Sequence, residues 1–267
     1  MANYLDRIVA RKRQEVAQAK ERTPLSELQR MIQDAPAPRP FAQSIRERNG
    51  IIAEFKRQSP SKGLIHKGPI SPRDVVGLYE QAGVSAISCL TDTDFFGGSL
   101  ADLREAVATT RVIPVLRKEF IIDEYQVVEA RAYGASAILL IAAILNHDEA
   151  RHLALTAKQL GMEVLMELHG QDEVGYVTEG VTVAGINNRE LKTFTVDLEH
   201  SIRVSQLLPT NMPRISESGI RGVEDMTYLR SKGFDGFLIG ECFMKEENPG
   251  AACMALCQDY ASRLKQK

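Results

Sequence analysis

Residues 135–141 read ASAILLI, residues 148–161 read DEARHLALTAKQLG, and residues 162–169 read MEVLMELH. The first and last segments are short apolar runs, as expected of buried strands. The middle segment begins with Asp and ends at Gly, a capping asymmetry that is typical of an α-helix. Together the three segments predict a strand, a helix and a second strand parallel to the first.

This alternation continues in both directions along the chain. The eight apolar runs are IIAEFKR (51–57), VSAISCL (84–90), RVIPVLRKEF (111–120), ASAILLI (135–141), MEVLMELH (162–169), VTVAGIN (181–187), PRISESGI (213–220) and GFLIG (236–240). Eight strands with helices between them predict an α/β protein of the (β/α)8 type, the TIM barrel. A doubly wound open sheet is the competing topology, but it usually has about six strands and often a glycine-rich first turn.

The first 50 residues do not show this alternation, and we expect them to form an N-terminal helical extension. Residues 2–20 have the pattern of a charged amphipathic helix, and Thr23 and Pro24 open a second helix with proline at its first position. The prolines of APAPRPF (35–41) end that helix. The extension has too little apolar surface for its own core. We therefore expect a single domain, in which residues 1–50 pack onto a barrel of residues 51–267.

The bulk composition excludes some classes of partner. The chain has 267 residues, 44% of them hydrophobic, and a formal net charge of -2. A near-balance of charge argues against a nucleic-acid partner, because such proteins usually carry a basic excess. The longest apolar run (135–145) is too short to cross a bilayer, and the N-terminus has no apolar signal-peptide core. We therefore expect a cytoplasmic protein that binds neither nucleic acid nor a membrane.

Neither the cysteines nor the histidines are spaced like metal ligands. Cys89, Cys242, Cys253 and Cys257 form no CxxC pair, and the five histidines show no HExxH pattern. We interpret the cysteines as packed thiols and expect no metal site.

Polar residues gather where the predicted strands end, and in a TIM barrel the carboxyl ends of the strands carry the active site. These residues are Glu54 and Lys56 in the first run, Lys118 in the third, Glu167 in the fifth, Asn187 in the sixth, and Glu217 with Ser218 in the seventh. Glu54 and Lys56 lie two residues apart and therefore share the interior face of their strand. Because an unpaired inward charge is costly, the pattern indicates a functional site.

Glycines after the last two predicted strands indicate a phosphate site. The motifs SESGI and LIGE place Gly219 and Gly240 directly after apolar strands. Phosphate sites in TIM barrels are often built from these two loops, and glycine lets backbone N–H groups approach an anion. The loop after the first strand adds Ser59, a candidate phosphate donor, and Lys62 at the tip of a candidate lid. These features predict a phosphorylated small-molecule substrate but no particular reaction.

Seven motifs, taken as a set, resemble the indole-3-glycerol-phosphate synthase family. They are AEFKRQSPSKG (53–63), VLRKEF (115–120), AILLI (137–141), LMELH (165–169), GINNREL (185–191), ISESGI (215–220) and LIGE (238–241). The resemblance implies a carboxy-lyase that converts 1-(2-carboxyphenylamino)-1-deoxyribulose 5-phosphate to indole-3-glycerol phosphate, carbon dioxide and water in tryptophan biosynthesis. It implies neither a cofactor nor a metal. We expect a monomer that associates at most weakly with other enzymes of that pathway.

The resemblance also implies roles for the polar residues. Lys118 corresponds to the general acid that protonates the substrate carbonyl oxygen during ring closure, where negative charge develops. Lys56 pairs with the substrate carboxylate and is a second candidate for the acid of the dehydration step. Glu167 corresponds to the base or charge stabiliser of dehydration. Glu54 and Glu217 are expected to hold the lysines and sugar hydroxyls, and Asn187 is expected to orient the substrate.

The binding residues are carried over in the same way. The phosphate positions are Ser59, Arg189, Ser218, Gly219 and Gly240. The wall of an aromatic pocket is assigned to Phe96, Phe120, Leu139, Ile141 and Leu191, which without the resemblance would be interpreted as core residues.

Two residues depart from the common pattern of the family. Glu119 stands where an Asp usually follows the lysine, and we expect it to leave Lys118 in place. Glu241 follows Gly240, where its carboxylate would repel a dianionic phosphate. We therefore expect Glu241 to offer its backbone N–H and to turn its side chain away.

Two other functions remain open on this sequence. One is a lyase that forms a Schiff base between Lys118 or Lys56 and a phosphorylated ketose. The other is a barrel that binds a phosphorylated metabolite without catalysis, although binding alone does not require so many inward charges.

Overall fold

The structure, a computed structural model, describes residues 4–60, 62–190 and 195–265. Eight parallel strands close into a barrel, in the spatial order β1-β8-β7-β6-β5-β4-β3-β2. The strands are β1 (Ile51–Phe55), β2 (Ala86–Leu90), β3 (Val115–Lys118), β4 (Ala137–Ile141), β5 (Glu163–Leu168), β6 (Val183–Asn187), β7 (Arg214–Glu217) and β8 (Gly236–Ile239). Each predicted apolar run contains one of them. The prediction of a TIM barrel is confirmed.

Helices surround the barrel and also form the extension. They are α1 (Tyr4–Arg22), α2 (Leu25–Asp34), α3 (Phe41–Glu47), α4 (Pro72–Gln81), α5 (Leu100–Thr109), α6 (Glu124–Ala132), α7 (His147–Gln159), α8 (Leu198–Ser205), α9 (Val223–Ser231), α10 (Glu241–Met244) and α11 (Pro249–Lys265). Side chains of Ser99, Asp123 and Asn146 accept hydrogen bonds from the first turns of α5, α6 and α7. These caps explain why the helices begin at the polar residues that follow the strands.

One connection differs from the expected alternation of strand and helix. Between β5 and β6 the chain forms a short 3-10 helix, Gln171–Tyr176, where the other units have an α-helix. The connection contains Gly175 within this helix and Gly180 four residues after it, and Gly180 adopts the left-handed conformation with φ +96°. Glycine stabilises helices poorly, and a left-handed residue ends a helix, so the segment is too short for a regular α-helix.

The strands alternate between two apolar environments. Ile52, Leu116, Leu165 and Ile215 belong to the buried cluster that fills the barrel interior. Their sequence neighbours, such as Ile51, Val115 and Val164, belong to a second buried cluster, which lies between the sheet and the helices. This alternation follows from the two-residue period of a strand, and it sets which side chains can reach the ends of the barrel.

The extension covers both ends of the barrel. Tyr4, Leu5 and Ile8 of α1 pack against the interior cluster at the carboxyl ends of the strands. In contrast, α3 covers the amino ends, where Glu163 accepts hydrogen bonds from the backbone N–H groups of Phe41 (2.9 Å) and Ala42 (2.8 Å). The packing of the extension onto the barrel is as expected, but α3 was not foreseen.

The start of the second helix differs from the prediction by one position. Pro24 occupies the N-cap of α2 and not its first helical position. Among the helices of the described residues, none combines the length and the apolar composition that crossing a bilayer requires.

Candidate active site

A cavity of about 530 Å³ opens at the carboxyl ends of the strands. Its walls include the predicted residues Glu54, Lys56, Ser59, Phe96, Lys118, Phe120, Leu139, Ile141, Glu167, Asn187, Arg189, Glu217, Ser218, Gly219 and Gly240. Leu191, the remaining predicted residue, lies outside the described residues. The structure therefore places the predicted polar, phosphate-binding and apolar residues in one cavity, whose size suits a small molecule.

The floor of the cavity is one layer of the barrel interior. Glu54, Lys118, Glu167 and Glu217 come from the alternate strands β1, β3, β5 and β7, two residues beyond the apolar layer beneath them. In a TIM barrel each interior layer takes four side chains from alternate strands. Here the top layer is charged and not apolar. Together with Lys56, these four residues are called the inner cluster below.

Glycines on neighbouring strands leave room for the carboxylates of this layer. A Cβ atom on Gly185 of β6 would lie 2.1 Å from Glu217 Oε1, and one on Gly240 would lie 2.6 Å from Glu54 Oε1. Because Cβ atoms cannot approach that closely, any other residue would displace these carboxylates. The sequence analysis assigned Gly240 to phosphate binding alone. Its φ of -130° is ordinary, and space for Glu54 is a second reason for glycine there.

The charges of the inner cluster are paired. Lys118 Nζ lies 2.5 Å from Glu217 Oε2 and 3.2 Å from Glu167 Oε2. Lys56 Nζ lies 2.5 Å from Glu54 Oε1. Asn187 Nδ2 donates to Glu167 Oε1 at 3.0 Å. Both lysines thus present ammonium groups to the cavity, and carboxylates hold each of them in place.

Burial and pairing shift the pKa values of this cluster in opposite directions. Burial alone would lower the pKa of Lys118, but Glu217 and Glu167 outweigh it and raise that pKa above its usual range. Burial raises the pKa of Glu217 to about 7, and Glu167 adds to the increase while Lys118 opposes it. Despite its own burial, Glu167 has a lowered pKa, because Lys118, His169 and Asn187 stabilise its charge. Lys118 is therefore cationic at neutral pH and Glu167 anionic.

His169 contributes to the site although the sequence analysis did not propose it. The side chain lines the cavity, and its Nε2 lies 3.1 Å from Glu167 Oε1. The signal was present in LMELH, because residues two apart on a strand share a face. We had examined the histidines only for metal-ligand spacing.

The turn after β7 has an uncommon backbone. Ser218 and Gly219 both have left-handed dihedral angles, with φ of 67° and 74°. Asn188 stabilises this turn, since its Nδ2 donates to the Ser218 carbonyl at 2.9 Å and to Ser216 Oγ at 2.8 Å. A left-handed non-glycine residue is costly and is found mainly at functional sites. The turn forms part of the cavity wall, where a phosphate group was expected.

Cations surround this end of the cavity. Arg189 lines it, as predicted, and Lys62, Arg221 and Lys245 line it too, of which only Lys62 was considered from the sequence. Glu241 does not turn away in the ligand-free protein. Its carboxylate lies 3.5 Å from Lys62 Nζ and 4.0 Å from an Arg189 nitrogen. Attraction to these cations explains the direction of the Glu241 side chain. The position of Glu241 beside a bound phosphate stays a prediction.

The opposite wall is apolar. The rings of Phe96 and Phe120 lie 5.9 Å apart between centroids, tilted by 40°. Tyr4, Leu5 and Ile8 of the extension complete this wall. The sequence analysis did not assign these three residues to the site, because their contact with the cavity depends on the path of α1 over the barrel mouth. A flat aromatic group could pack between the two phenylalanine rings and the side chains of the extension.

Lys118 keeps its place beside Glu119, as expected. Glu119 follows β3 and lines part of the cavity, but its carboxylate contacts Lys12 Nζ at 2.9 Å and Thr91 Oγ1 at 2.7 Å. Across residues 4–60, 62–190 and 195–265, no three His, Cys, Asp or Glu side chains are grouped to hold a metal ion.

The sequence matches known proteins over most of its length. The family model described as indole-3-glycerol phosphate synthase matches residues 5–256. A protein of that name from Bacteroides thetaiotaomicron is 47% identical over 251 residues, with 94% of this chain and 96% of the relative covered. Similar relatives of the same name occur in Desulfotalea psychrophila (46% identical over 257 residues, 94% and 96% covered) and Dechloromonas aromatica (42% over 257 residues, 94% and 97% covered).

Solved structures with similar folds are more distant. Tryptophan synthase subunit alpha from Legionella pneumophila superimposes with a TM-score of 0.60 at 13% identity, over 90% of this chain and 98% of that one. A mutant tryptophan synthase alpha-subunit from Pyrococcus furiosus gives 0.59 at 10% identity, over 80% and 98%. At these identities the likeness supports the TIM barrel alone. The family model and the three relatives, matched along nearly their whole length, show that this chain belongs to the indole-3-glycerol phosphate synthase family.

Proposed function

We propose that this enzyme closes an indole ring, converting 1-(2-carboxyphenylamino)-1-deoxyribulose 5-phosphate to indole-3-glycerol phosphate, carbon dioxide and water. The observation that carries the proposal is Lys118, a buried cation between Glu167 and Glu217, which faces a cavity with cations at one end and aromatic rings along one wall. The buried cation suits the carbonyl of this substrate, the cations at one end suit its phosphate, and the aromatic wall suits its aromatic ring.

Ring closure needs a proton donor at the ribulose carbonyl. The aromatic carbon that bears the carboxylate attacks this carbonyl, and negative charge develops on its oxygen. Lys118 is held as an ammonium group by two carboxylates, so it stabilises that charge and supplies the proton. Because the cation is in place before the reaction, little reorganisation is needed when the charge forms. Loss of carbon dioxide then restores the aromatic ring.

Dehydration completes the indole. Glu167, kept anionic by its neighbours, is placed to accept a proton or to stabilise the developing positive charge at nitrogen. The leaving hydroxyl requires an acid, and both Lys56 and Lys118 lie in the cavity as cations for this step. Glu54 and Asn187 act through contacts, the first by holding Lys56 and the second by holding Glu167.

The environment of Lys118 weighs against a Schiff-base lyase. An amine that attacks a carbonyl must be neutral, so enzymes of that type lower the pKa of their lysine. Here Glu217 and Glu167 raise the pKa of Lys118 instead. A barrel that binds without catalysis is disfavoured by membership of a family that is named for a synthase.

Turnover by the purified protein tests the proposal. Addition of the carboxyphenylamino-deoxyribulose phosphate should produce indole fluorescence and one equivalent of carbon dioxide, with no adduct trapped by borohydride. A substrate-dependent borohydride adduct on Lys118 would favour the Schiff-base lyase. Binding of the substrate without product would overturn the proposed reaction.

We also propose finer properties that accompany this function. Cys89, Cys242, Cys253 and Cys257 are all free thiols, which suits the reducing cytoplasm. Helix α1 packs over the carboxyl ends of the strands and α3 over their amino ends, which supports a single domain of an extension (1–50) plus a barrel (51–267). A monomer that associates at most weakly with other tryptophan-pathway enzymes is proposed as well. Sedimentation and fractionation of cell extracts test these properties.

A further inference from the structure

His169 is a buried titratable group for which the mechanism above has no role. It lies two residues after Glu167, just beyond the end of β5, and its side chain is 11% exposed. It faces the cavity beside Glu167. A buried imidazole at this position must affect the charge or the orientation of its carboxylate neighbour.

Each oxygen of Glu167 has its own partners. Oε1 lies 3.1 Å from His169 Nε2 and accepts a hydrogen bond from Asn187 Nδ2 at 3.0 Å. Oε2 lies 3.2 Å from Lys118 Nζ. His169 and Asn187 therefore hold one oxygen, and this directs the other toward Lys118 and the cavity.

His169 is itself held from the side opposite to Glu167. Its backbone N–H donates to Glu173 Oε2 at 2.5 Å, and the same oxygen lies 3.9 Å from the imidazole Nδ1. The His169 carbonyl accepts a hydrogen bond from His200 Nε2 of α8 at 2.6 Å. The ring thus lies between a carboxylate of the site and a carboxylate of the 3-10 helix.

These surroundings favour the charged ring. Burial would lower the pKa of His169, but Glu167, Glu173 and Glu217 outweigh burial, so the pKa is raised above its ordinary value. The charged and titratable groups that face the ring are Glu167 on β5, Glu173 with Asp172 on the 3-10 helix, Glu217 on β7 and, beyond Glu167, Lys118 on β3. Carboxylates predominate next to the ring itself.

The contact with Glu167 is close but not aligned. Both ring nitrogens of His169 are sealed from solvent, and neither makes a hydrogen bond of ordinary geometry within the described residues. A buried ring nitrogen whose only close partner is poorly aligned is costly, which is unexpected for a purely structural histidine. Hydrogen bonds in ligand-free active sites are often poorly aligned and tighten when substrate binds.

We propose that His169 is a positioning residue, whose imidazolium holds Glu167 Oε1 so that Oε2 serves the dehydration step. This role rests on the function proposed above for Glu167. The neutral ring offers a donor without a charge, so the benefit disappears as pH rises through the pKa of His169. That window begins above about pH 6.5, the ordinary value, because the shift is upward.

The variant His169→Gln tests the charge separately from the donor. Glutamine places an amide N–H near the position of Nε2 but cannot be protonated. The kcat of the wild-type enzyme should exceed that of the variant by about 10-fold at about pH 6, with KM changed less than about threefold. The ratio should fall toward one by about pH 9. Because the substrate phosphate titrates in both proteins, its ionisation cancels in this ratio.

Two further variants complete the test. His169→Leu, which lacks the donor, should lose more kcat than His169→Gln at every pH. His152→Asn is the matched control, because His152 also contacts a glutamate (Glu124, 2.9 Å) but lies on the surface. It should leave kcat and its pH dependence unchanged. A constant ratio of wild-type to His169→Gln kcat across pH would overturn the role of the imidazolium.

Nuclear magnetic resonance separates this inference from the proposed function. The imidazole signals of His169, assigned by their absence in His169→Gln, should titrate above about pH 6.5. In Glu167→Gln the pKa of His169 should fall, because the neighbouring negative charge is lost. An unshifted titration would overturn the coupling even if the enzyme turns over substrate. Failure of turnover with the shift intact would instead overturn the reaction assigned to the site.

Discussion

Two groups of charged residues lie on opposite sides of strand β3, and their difference shows how this fold separates stability from chemistry. The inner cluster faces the cavity. The outer cluster lies between the sheet and its covering helices and consists of Lys12, Asp92, Arg117, Glu119 and Glu129. Along the chain, Arg117, Lys118 and Glu119 are consecutive, so the strand alone sends Lys118 to one group and its neighbours to the other.

Every charge of the outer cluster is satisfied by the protein. Lys12 Nζ lies 2.9 Å from both Asp92 and Glu119 and 2.6 Å from Glu15. Arg117 donates to Thr91, to the Gln126 carbonyl and to Glu129. Asp92 also accepts hydrogen bonds from the backbone N–H groups of Phe95 and Phe96. This saturation joins α1 to the loops that carry Phe96 and Phe120.

The inner cluster, taken with its neighbour His169, is not saturated in this way. Within the described residues, Glu217 Oε1 and both nitrogens of His169 are buried without a hydrogen bond. A buried polar group without a partner is costly, and such groups persist where a ligand completes them. Complete pairing therefore characterises the outer cluster, which stabilises the fold, and incomplete pairing beside a cavity characterises the inner cluster, which serves the chemistry.

The strongest test substitutes one lysine of each cluster, Lys118 in the inner cluster and Lys12 in the outer cluster. Lys118→Met should reduce kcat by about 10³-fold, equivalent to about 4 kcal/mol in the barrier, because the cation at the developing negative charge is lost. Substrate binding should weaken far less. Steady-state and single-turnover kinetics measure the two effects. A kcat within about tenfold of the wild-type value would show that another residue supplies the proton.

The matched change in the outer cluster should act on stability. Lys12→Met leaves Asp92 and Glu119 buried without their cation, so the free energy of unfolding should fall by about 3 kcal/mol. Urea denaturation measures this loss. The kcat of the folded variant should change much less than in Lys118→Met. Comparable losses of kcat in the two variants would mean that the clusters do not divide the roles as described.

Substitutions of two arginines, Arg189 and Arg117, test the same division between chemistry and stability. Arg189 lines the cavity and is 24% exposed, whereas Arg117 is 3% exposed in the outer cluster. Arg189→Gln should raise KM by about 10-fold with little change in kcat, because uniform phosphate binding is lost. Arg117→Gln should lower the unfolding free energy and leave the KM of the folded protein near the wild-type value. A raised KM in Arg117→Gln with an unchanged KM in Arg189→Gln would mean that the phosphate does not bind at Arg189.

The smallest expected effect is a pH dependence of stability from Glu217. Its pKa is raised from 4.5 to about 7 by burial, so the folded protein binds this proton more tightly than the unfolded chain does. The resulting stability is fully present below about pH 4.5 and is lost as pH rises through about 7. Relative to Glu217→Gln, the wild-type protein should lose stability over this range.

Denaturation curves of both proteins at several pH values measure the difference. Glu163→Gln is a suitable control, because Glu163 also accepts hydrogen bonds from backbone N–H groups but lies at the opposite end of the barrel. Its stability difference from the wild type should not follow the same pH window. Parallel curves for the wild type and Glu217→Gln would show that Glu217 is not protonated in the folded protein.

The site residues on strands were predictable, and those brought by the extension were not. Glu54, Lys118, Glu167 and Glu217 occupy strand ends, where the two-residue period determines which side faces inward. His169 obeys the same rule and could have been found with it. Tyr4 and Leu5 could not, because nothing local to α1 specifies that this helix crosses the barrel mouth. The ion pairs of Glu241 with Lys62 and Arg189 could not be found either, because these cationic neighbours come from other loops.

By itself the sequence determined the barrel, its strands, the end at which the chemistry gathers and most of the residues that gather there. The barrel and the inward polar residues at its strand ends follow from local periodicity and capping, which act over a few residues, whereas the phosphate and aromatic positions follow from the family resemblance. The tertiary structure decided which charges meet. Lys118 faces Glu217 across 99 positions of sequence, and Lys12 meets Asp92 across 80. Such pairings, and the pKa values that follow from them, depend on distances that exist only after the barrel has closed.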